Sequence, residues 1–492
     1  MIRRNAPPRP FPPLQKKSTR LAVCAAIAAL PWIATPAWAS ELDDLKAQME
    51  TMSRRLAELE EKQSRTPVSA PAAVAKPVPL ALQTDQQGLP LDPATSGIGL
   101  YSSDTTSLRM YGLLEATISR SDHQTPSGGT SSGFQTAWFS GNRLGFDAEH
   151  ALAAGASLGM PDLKIISKLE TEFELPTGNS DTSGVLFNRD AWLGVYSDKL
   201  GKITLGRQNT LTRDFTANWG DPYGTSAVTL KEGGYSNVNN FKQLIFYSGS
   251  ANGTRVNSAI EWKKNWGNHW VSGLGYAFGS GANGGSGDVG TGGSTPGEFT
   301  KGTTVAASVA YNQIDLGGNA VMNVNASLDR ANVNNLVHKS ELFGGNVVYG
   351  PFRVNAGYIH YTAEQGIANS AGTRTDNSWT TSVSYSPGQF DYALGYQVMK
   401  GRHAGFSASG TTLNPFGDTA GVTATADGSK STIYGSVMYH LDKQTDLYFA
   451  IDHFNVKDGW VVTDALGNGM RFGAGNPYKT QTDFGVGARF KF

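Results

Sequence analysis

Much of the chain alternates between apolar and polar residues, which is the pattern of a β-strand with two different faces. The clearest case lies between Leu163 and Leu175, where Leu169 has odd-numbered apolar neighbours and the charged residues have even numbers. The same alternation recurs in segments 108–120, 139–150, 255–263, 303–314, 320–330, 352–362, 380–386, 390–399, 431–440, 446–456 and 483–492. No long amphipathic helix separates these segments. The pattern therefore predicts an all-β fold over residues 108–492.

Short and long connections alternate between these segments along the chain. Short ones lie at 265–268, 315–319, 350–351, 387–389 and 441–443, and long ones at 121–135, 176–186, 208–254, 279–302, 364–376, 402–429 and 457–478. Strands of about 10 residues, with tight turns at one end and longer loops at the other, are typical of a transmembrane antiparallel β-barrel. Counting the segments predicts 16 strands, with 14 or 18 as alternatives. Closing the sheet leaves no unpaired edge in lipid.

The final segment places its apolar residues on a single face that ends at the terminal residue. Phe484, Val486, Ala488, Phe490 and Phe492 share one parity. A terminal aromatic on the lipid-facing side looks like the assembly signal of outer-membrane barrels, so Phe492 is assigned that role. Aromatic residues near strand ends are expected to form the interfacial girdles of the barrel; they are Tyr111, Trp192, Trp262, Tyr311, Tyr361, Tyr396, Tyr439 and Tyr448.

The N-terminal 39 residues have the composition of a secretory signal peptide. Six cations and no acids precede residue 40, an apolar run spans 21–33, and Ala37-Trp38-Ala39 has the small-x-small pattern of a cleavage site. The apolar run is too short for a membrane anchor and contains Pro31. The only cysteine, Cys24, lies in this segment, so the mature chain is expected to have no disulfide.

Two segments precede the predicted barrel. Residues 40–63 have a heptad pattern, and residues 64–107 are rich in Pro and Ala. The apolar heptad residues are Leu42, Leu45, Met49, Met52, Leu56 and Leu59. Spacings of three and four predict a short parallel coiled coil, and the alternative is one amphipathic helix packed on the protein's own body. Six prolines between 67 and 93 predict an extended linker from 64 to 107.

Composition and charge argue against several other classes of protein. The sequence has 41 basic and 41 acidic residues, so the mature chain without the six N-terminal cations is slightly acidic and no nucleic-acid partner is expected. The eight histidines show no metal-ligand spacing. Gly285-x-Gly287-x-x-Gly290 resembles a dinucleotide motif but lies in a Gly/Ser-rich loop without a strand before it. The chain is therefore expected to have no cofactor, no metal and no enzymatic activity.

Several motifs in order resemble those of a known family. They are Leu108-Arg-Met-Tyr-Gly-Leu-Leu-Glu115, Ser140-Gly-Asn-Arg-Leu-Gly-Phe146, Leu169-Glu-Thr-Glu-Phe173, Leu186-Phe-Asn-Arg-Asp-Ala-Trp-Leu-Gly194, Ile203-Thr-Leu-Gly-Arg-Gln208, Arg255-Val-Asn-Ser258, Tyr276-Ala-Phe-Gly279 and the terminal Phe. The chain resembles the trimeric general porins of Gram-negative outer membranes, of the neisserial and comamonad type. The heptad and linker depart from the simplest members, although some substrate-specific porins have similar N-terminal coiled coils.

The resemblance implies a homotrimer of water-filled channels for passive diffusion of small hydrophilic solutes and ions. It places the barrel in the outer membrane and the N-terminal extension in the periplasm. Its implied partners are outer-membrane lipid, lipopolysaccharide and the barrel-assembly machinery, with peptidoglycan as a further candidate. Two alternatives remain: a substrate-specific porin for a small anionic or sugar-like solute, and a structural anchor whose coiled coil engages the cell wall.

The resemblance also implies a pore constriction formed by the long loop 208–254. The arginine ladder would be Arg143, Arg189 and Arg255, and the facing acids would be Asp214, Asp221 and Glu232. Parity places Arg143 and Arg255 toward the lumen, whereas Arg189 shares its parity with apolar Ala191 and Leu193. The remaining lumen wall is expected to include Glu115, Lys164, Lys168 and Glu170.

Overall fold

The computed structural model of the chain describes residues 97–123, 128–135, 138–139, 141–215, 255–279, 302–333, 336–365, 373–407, 410–411, 424–458 and 479–492. The predicted signal peptide, all six heptad residues and most of the predicted linker lie outside these ranges. Within them, no helix is both long enough and apolar enough to cross a membrane.

The described residues are almost entirely β-strand. The strands are β1 (Ile98–Ser102), β2 (Thr106–Ser121), β3 (Ser131–Gln135), β4 (Asn142–Ala151), β5 (Lys164–Phe173), β6 (Asp190–Ser197), β7 (Gly201–Asn209), β8 (Arg255–Trp266), β9 (Trp270–Ala277), β10 (Thr304–Gly317), β11 (Ala320–Val333), β12 (Leu336–Tyr349), β13 (Phe352–Ala363), β14 (Arg374–Tyr385), β15 (Phe390–Ser407), β16 (Gly410–Thr411), β17 (Ala424–His440), β18 (Thr445–Asp458) and β19 (Thr480–Lys491). A 3-10 turn spans Ala153–Leu158, and the helix α1 spans Leu211–Phe215.

Antiparallel pairing closes this sheet into a barrel. The short strands β1, β3 and β16 pair locally, and the other 16 strands each pair with the next along the chain. The last of them, β19, pairs with β2, from Lys491 opposite Leu113 to Asp483 opposite Ser121. The prediction of a closed barrel of 16 antiparallel strands is confirmed.

The two faces of the wall differ as the alternation predicted. Along β5, Leu169 points outward and is exposed, whereas Glu170 points inward and is buried. Outward-facing apolar side chains that are more than half exposed continue around the barrel; they include Leu193, Leu205, Leu274, Val305, Leu328 and Phe343. Such a surface suits lipid, and the polar inner face suits water.

Not every aromatic residue near a strand end belongs to the outer surface. Phe352 and Tyr385 stack at 4.5 Å near the short turns, as expected for an interfacial girdle. Tyr111, Tyr361 and Tyr448 are instead buried on the inward-facing parity, so their assignment to a girdle was wrong. The hydroxyl of each can hydrogen-bond inside the barrel, which an outward position in lipid would not provide.

The barrel begins earlier than the sequence indicated. Residues 98–102, within the range assigned to the linker, form β1, and β2 starts at Thr106. β19 ends opposite Leu113, and β1 then pairs with β2 from Met110 to Ser107. This pairing satisfies backbone groups of β2 that the C-terminal strand does not reach.

Candidate functional site: the inner wall of the barrel

A network of charges covers the inner wall of β4 to β6. The guanidinium of Arg189 forms ion pairs with Glu170 and Glu172. The Nζ atom of Lys168 lies 3.5 Å from Glu170 Oε2 and 3.3 Å from Asp190 Oδ2. These groups lie close enough to act as one electrostatic unit.

The orientation of Arg189 follows from where its strand begins. Because β6 starts at Asp190, Arg189 precedes the strand and is not bound by its alternation. Its backbone N–H donates to Glu170 O at 3.2 Å, and its side chain lies beside inward-facing carboxylates. The conflict between local parity and the resemblance is therefore resolved in favour of the lumen side.

Other cations on this wall have neighbouring acids. Arg109 pairs with Asp147, and Lys164 Nζ lies 2.7 Å from Glu149 Oε2. Arg143 is buried on the same wall, and its Nε donates to Gly141 O at 3.2 Å. Two arginines of the expected ladder therefore lie beside Glu170 and Glu172 of β5. Arg143 is on β4, and Arg189 directly precedes β6.

The start of the long loop after β7 folds against the inner wall. Leu211 and Phe215 of α1 are buried in one apolar cluster with Val271, Ala306 and Ala310; these last three face inward on β9 and β10. Gly273 provides room for them, because a Cβ there would lie 2.6 Å from Leu211 Cδ1 and 3.2 Å from Phe215 Cε2. The chain therefore enters the lumen at this point.

An ion pair holds α1 on its other side. Asp214 Oδ2 lies 2.5 Å from Lys263 Nζ, and the same ammonium lies 2.8 Å from Glu261 Oε2. Asn209 Nδ2 donates to Asp214 Oδ1 at 2.8 Å. No contact in the described part of the chain joins Asp214 to Arg143, Arg189 or Arg255.

Lys263 was missed as a site residue, although its parity with Glu261 marked it as inward-facing. Arg255 is buried at the first position of β8, where the pairing with β7 is irregular next to it. Asp221 and Glu232 lie outside the described residues, so their place in the constriction stays a prediction.

Besides α1, a second segment folds inward against the wall. This second inward fold consists of Trp138 and Phe139 and lies on the side of β2 opposite to β4. Glu115, completely buried, accepts hydrogen bonds at Oε1 from the backbone N–H groups of Trp138 and Phe139, both at 2.6 Å. The Tyr448 hydroxyl donates to the same oxygen at 2.9 Å, and Arg489 Nε lies 3.1 Å from Oε2. The carboxylate thus joins two backbone amides to the inner faces of β18 and β19.

The two aromatic side chains are fully buried on this wall. Trp138 and Phe139 form one apolar cluster with inward-facing residues of β15, β17 and β18; these are Ala393, Tyr434, Met438, Tyr448 and Ala450. Phe139 and Tyr448 meet edge to face at 4.5 Å. The sequence assigned residue 139 to a strand, which in fact starts at Asn142.

Two remaining expectations concern metals and the lumen wall. Among the described residues, no three His, Cys, Asp or Glu side chains are grouped so as to hold a metal ion. All four residues expected on the lumen wall, Glu115, Lys164, Lys168 and Glu170, have inward-facing parity and form the ion pairs described above.

The chain is similar to known porins in sequence and in structure. A family model described as Gram-negative porin matches residues 72–459. The anion-selective porin from Comamonas acidovorans has a similar structure, with a TM-score of 0.54 and 18% identity over 79% of this chain and 100% of that one. Salmonella typhi OmpF in complex with daunomycin gives a TM-score of 0.49 and 15% identity over 80% and 100%. No curated protein sequence matches the chain.

Proposed function

Since this chain belongs to the Gram-negative porin family, we propose that it is a general-diffusion porin with weak ion selectivity. The protein is an outer-membrane channel for the passive diffusion of solutes. The observation that supports weak selectivity is the pairing of inner-wall charges. Three cations, Arg143, Lys168 and Arg189, lie among three acids, Glu170, Glu172 and Asp190. Lys263 and Arg213 likewise lie beside Asp214 and Glu261. Such paired charges leave little net field of either sign along the wall.

The constriction is proposed to lie where α1 and the Arg189 network face the lumen. Arg143, Arg189 and Asp214 would line it, with Arg255, Asp221 and Glu232 as further candidates. Opposed charges across a narrow wet passage orient dipolar solutes and set the preference for one ion over another. A substrate-specific channel, for an anionic or sugar-like solute, is the alternative that solute block of the ion current would favour.

The N-terminal extension is proposed to act separately from transport. Residues 1–39 would be removed, and residues 40–63 would form a parallel coiled coil in the periplasm. In a homotrimer, three barrels would gather the helices and raise their effective concentration, which compensates for a coiled coil of fewer than three heptads. Outer-membrane lipid, lipopolysaccharide, the barrel-assembly machinery and peptidoglycan remain the proposed partners, and anchoring to the cell wall is compatible with transport.

The test is the current through single channels of purified protein in a planar bilayer under a salt gradient. We expect steps that close in threes and a reversal potential close to zero. A reversal potential near the limit for one ion would contradict weak selectivity. No current from protein with an intact barrel would contradict the diffusion channel and favour the anchor.

A further inference from the structure

We infer that Glu115 is a positioning residue which holds a second constriction inside the channel, and that this constriction limits the size of the solutes that pass. This inference rests on the proposed function, because it requires an open channel. The inward fold it concerns consists of Trp138 and Phe139 and lies on β15 and β17–β19, away from the α1 segment on β9 and β10.

The pairing along β2 shows why the chain must leave the wall here. Thr117 pairs with Gln135 of β3, and Leu113 pairs with Arg143 of β4. Between these pairs β2 has three residues, 114–116, whereas the other chain has seven, 136–142. The ladder on this side of β2 therefore has no pairing position for Trp138 and Phe139, as in an enlarged β-bulge. Asn142 closes the gap, because its Oδ1 accepts the Glu115 backbone N–H at 2.5 Å.

Trp138 and Phe139 lie on the inner side of the wall, where Glu115 provides an acceptor for their backbone N–H groups. Consecutive backbone N–H groups of Trp138 and Phe139 converge on one oxygen of Glu115, at 2.6 Å each. Hydrogen bonds to an ionised carboxylate are stronger than those between neutral groups. Removing the acceptor would leave two buried N–H groups unsatisfied, at a cost of desolvation. Glu115 therefore determines on which side of the wall this segment lies.

Glycines in the surrounding wall leave room for the Trp138 ring and for the tyrosine rings beside it. Gly485 faces inward on β19, and a Cβ there would lie 2.6 Å from Trp138 Cε3 and 2.9 Å from Thr117 Cγ2. Glycine at 487 likewise leaves space for the Tyr448 ring, and glycine at 395 for the Tyr434 ring. The aromatic rings thus pack on the inner wall over several strands and lie inside the cross-section of the barrel.

The inference predicts that releasing this fold widens the channel. We would compare the full-length chain with Glu115→Ala, Glu115→Gln and Glu149→Ala, measuring single-channel conductance and the swelling of proteoliposomes in neutral sugars of increasing size. Glu149 is the matched control, since it is also an inner-wall carboxylate with a cation, Lys164 at 2.7 Å, but contacts no inward fold. Heat-dependent electrophoretic mobility would report the folded barrel in each case.

Glu115→Ala should raise the conductance and admit larger sugars, whereas Glu149→Ala should keep the size limit of the unsubstituted protein. Glu115→Gln retains an oxygen acceptor for both N–H groups and should restore most of the size limit. An unchanged limit in a folded Glu115→Ala barrel would overturn the inference. If that variant does not fold, Trp138→Ala with Phe139→Ala, which leaves the carboxylate in place, must still admit larger sugars. Absence of swelling in the unsubstituted protein would instead overturn the proposed function.

Discussion

In the described part of the chain, two inward folds lie in the barrel interior and are held by different chemistry. The helix α1 is held mainly through apolar contacts of Leu211 and Phe215, with the Asp214–Lys263 ion pair on its other side. The segment 138–139 is held through its backbone, by the buried Glu115, and the Trp138 ring fills the space over Gly485. An apolar helix face tolerates small shifts, whereas a carboxylate bound to two amides fixes one position. The second fold should therefore be the more rigid of the two.

The largest expected effect concerns the ion pair beneath α1. Lys263→Met leaves Asp214 and Glu261 without their shared cation, and breaking a buried pair in this way costs about 3–5 kcal/mol. We expect a correspondingly lower free energy of unfolding in urea. Lys264→Met, the neighbouring substitution on the outer face, is the control and should cost much less. Equal losses for the two variants would show that the ion pair does not hold α1.

A second pair of substitutions compares the rigidity of the two folds directly. Gly485→Ala places a methyl group 2.6 Å from the rigid Trp138 ring, and Gly273→Ala places one 2.6 Å from the flexible Leu211 Cδ1. Overpacking costs about 1–3 kcal/mol, and we expect Gly485→Ala to cost more than Gly273→Ala. Thermal unfolding measures the difference. Gly275→Ala is the control, because its nearest contact would be an ordinary 3.5 Å. A larger loss for Gly273→Ala would reverse the comparison.

A smaller effect is expected on ion preference. Arg189→Gln removes the cation between Glu170 and Glu172 and leaves two carboxylates on the inner wall. The reversal potential under a salt gradient should shift toward cations, by more at low than at high ionic strength. Arg120→Gln, an exposed outward-facing substitution on β2, should not shift it. The proposal that Arg189 lines the conducting path fails if both variants behave alike.

The smallest effect is expected from the N-terminal extension. Deleting residues 40–96 while retaining the signal peptide spares β1 and β2. The conductance of each pore should stay the same, because no part of the described wall is removed. Single-channel recording against the full-length chain checks this. Loss of current from folded barrels would show that the extension is part of the channel.

The sequence predicted the wall well and the interior less well. Alternation in strands such as β5 has a period of two because successive side chains point to opposite faces. Polarity follows this period because one face meets lipid and the other meets water. Trp138 and Phe139 carry no such signal, because their inward position depends on Glu115, more than 20 positions earlier in the chain. Asp214 could be assigned to the loop, but its partner Lys263 lies 49 positions away. Contacts of this kind join a loop to a neighbouring strand, and local pattern does not encode them.

Each of the two inward folds is proposed to narrow the channel. The most direct test of this proposal is the exclusion of neutral polymers from single channels. Polymers small enough to enter the lumen lower the conductance, so the largest polymer that still does so measures the narrowest width. The account predicts that the limit rises separately in Glu115→Ala and in Leu211→Ala with Phe215→Ala, each of which removes the main contacts of one inward fold. The same limit in both variants and in the unsubstituted chain would contradict it.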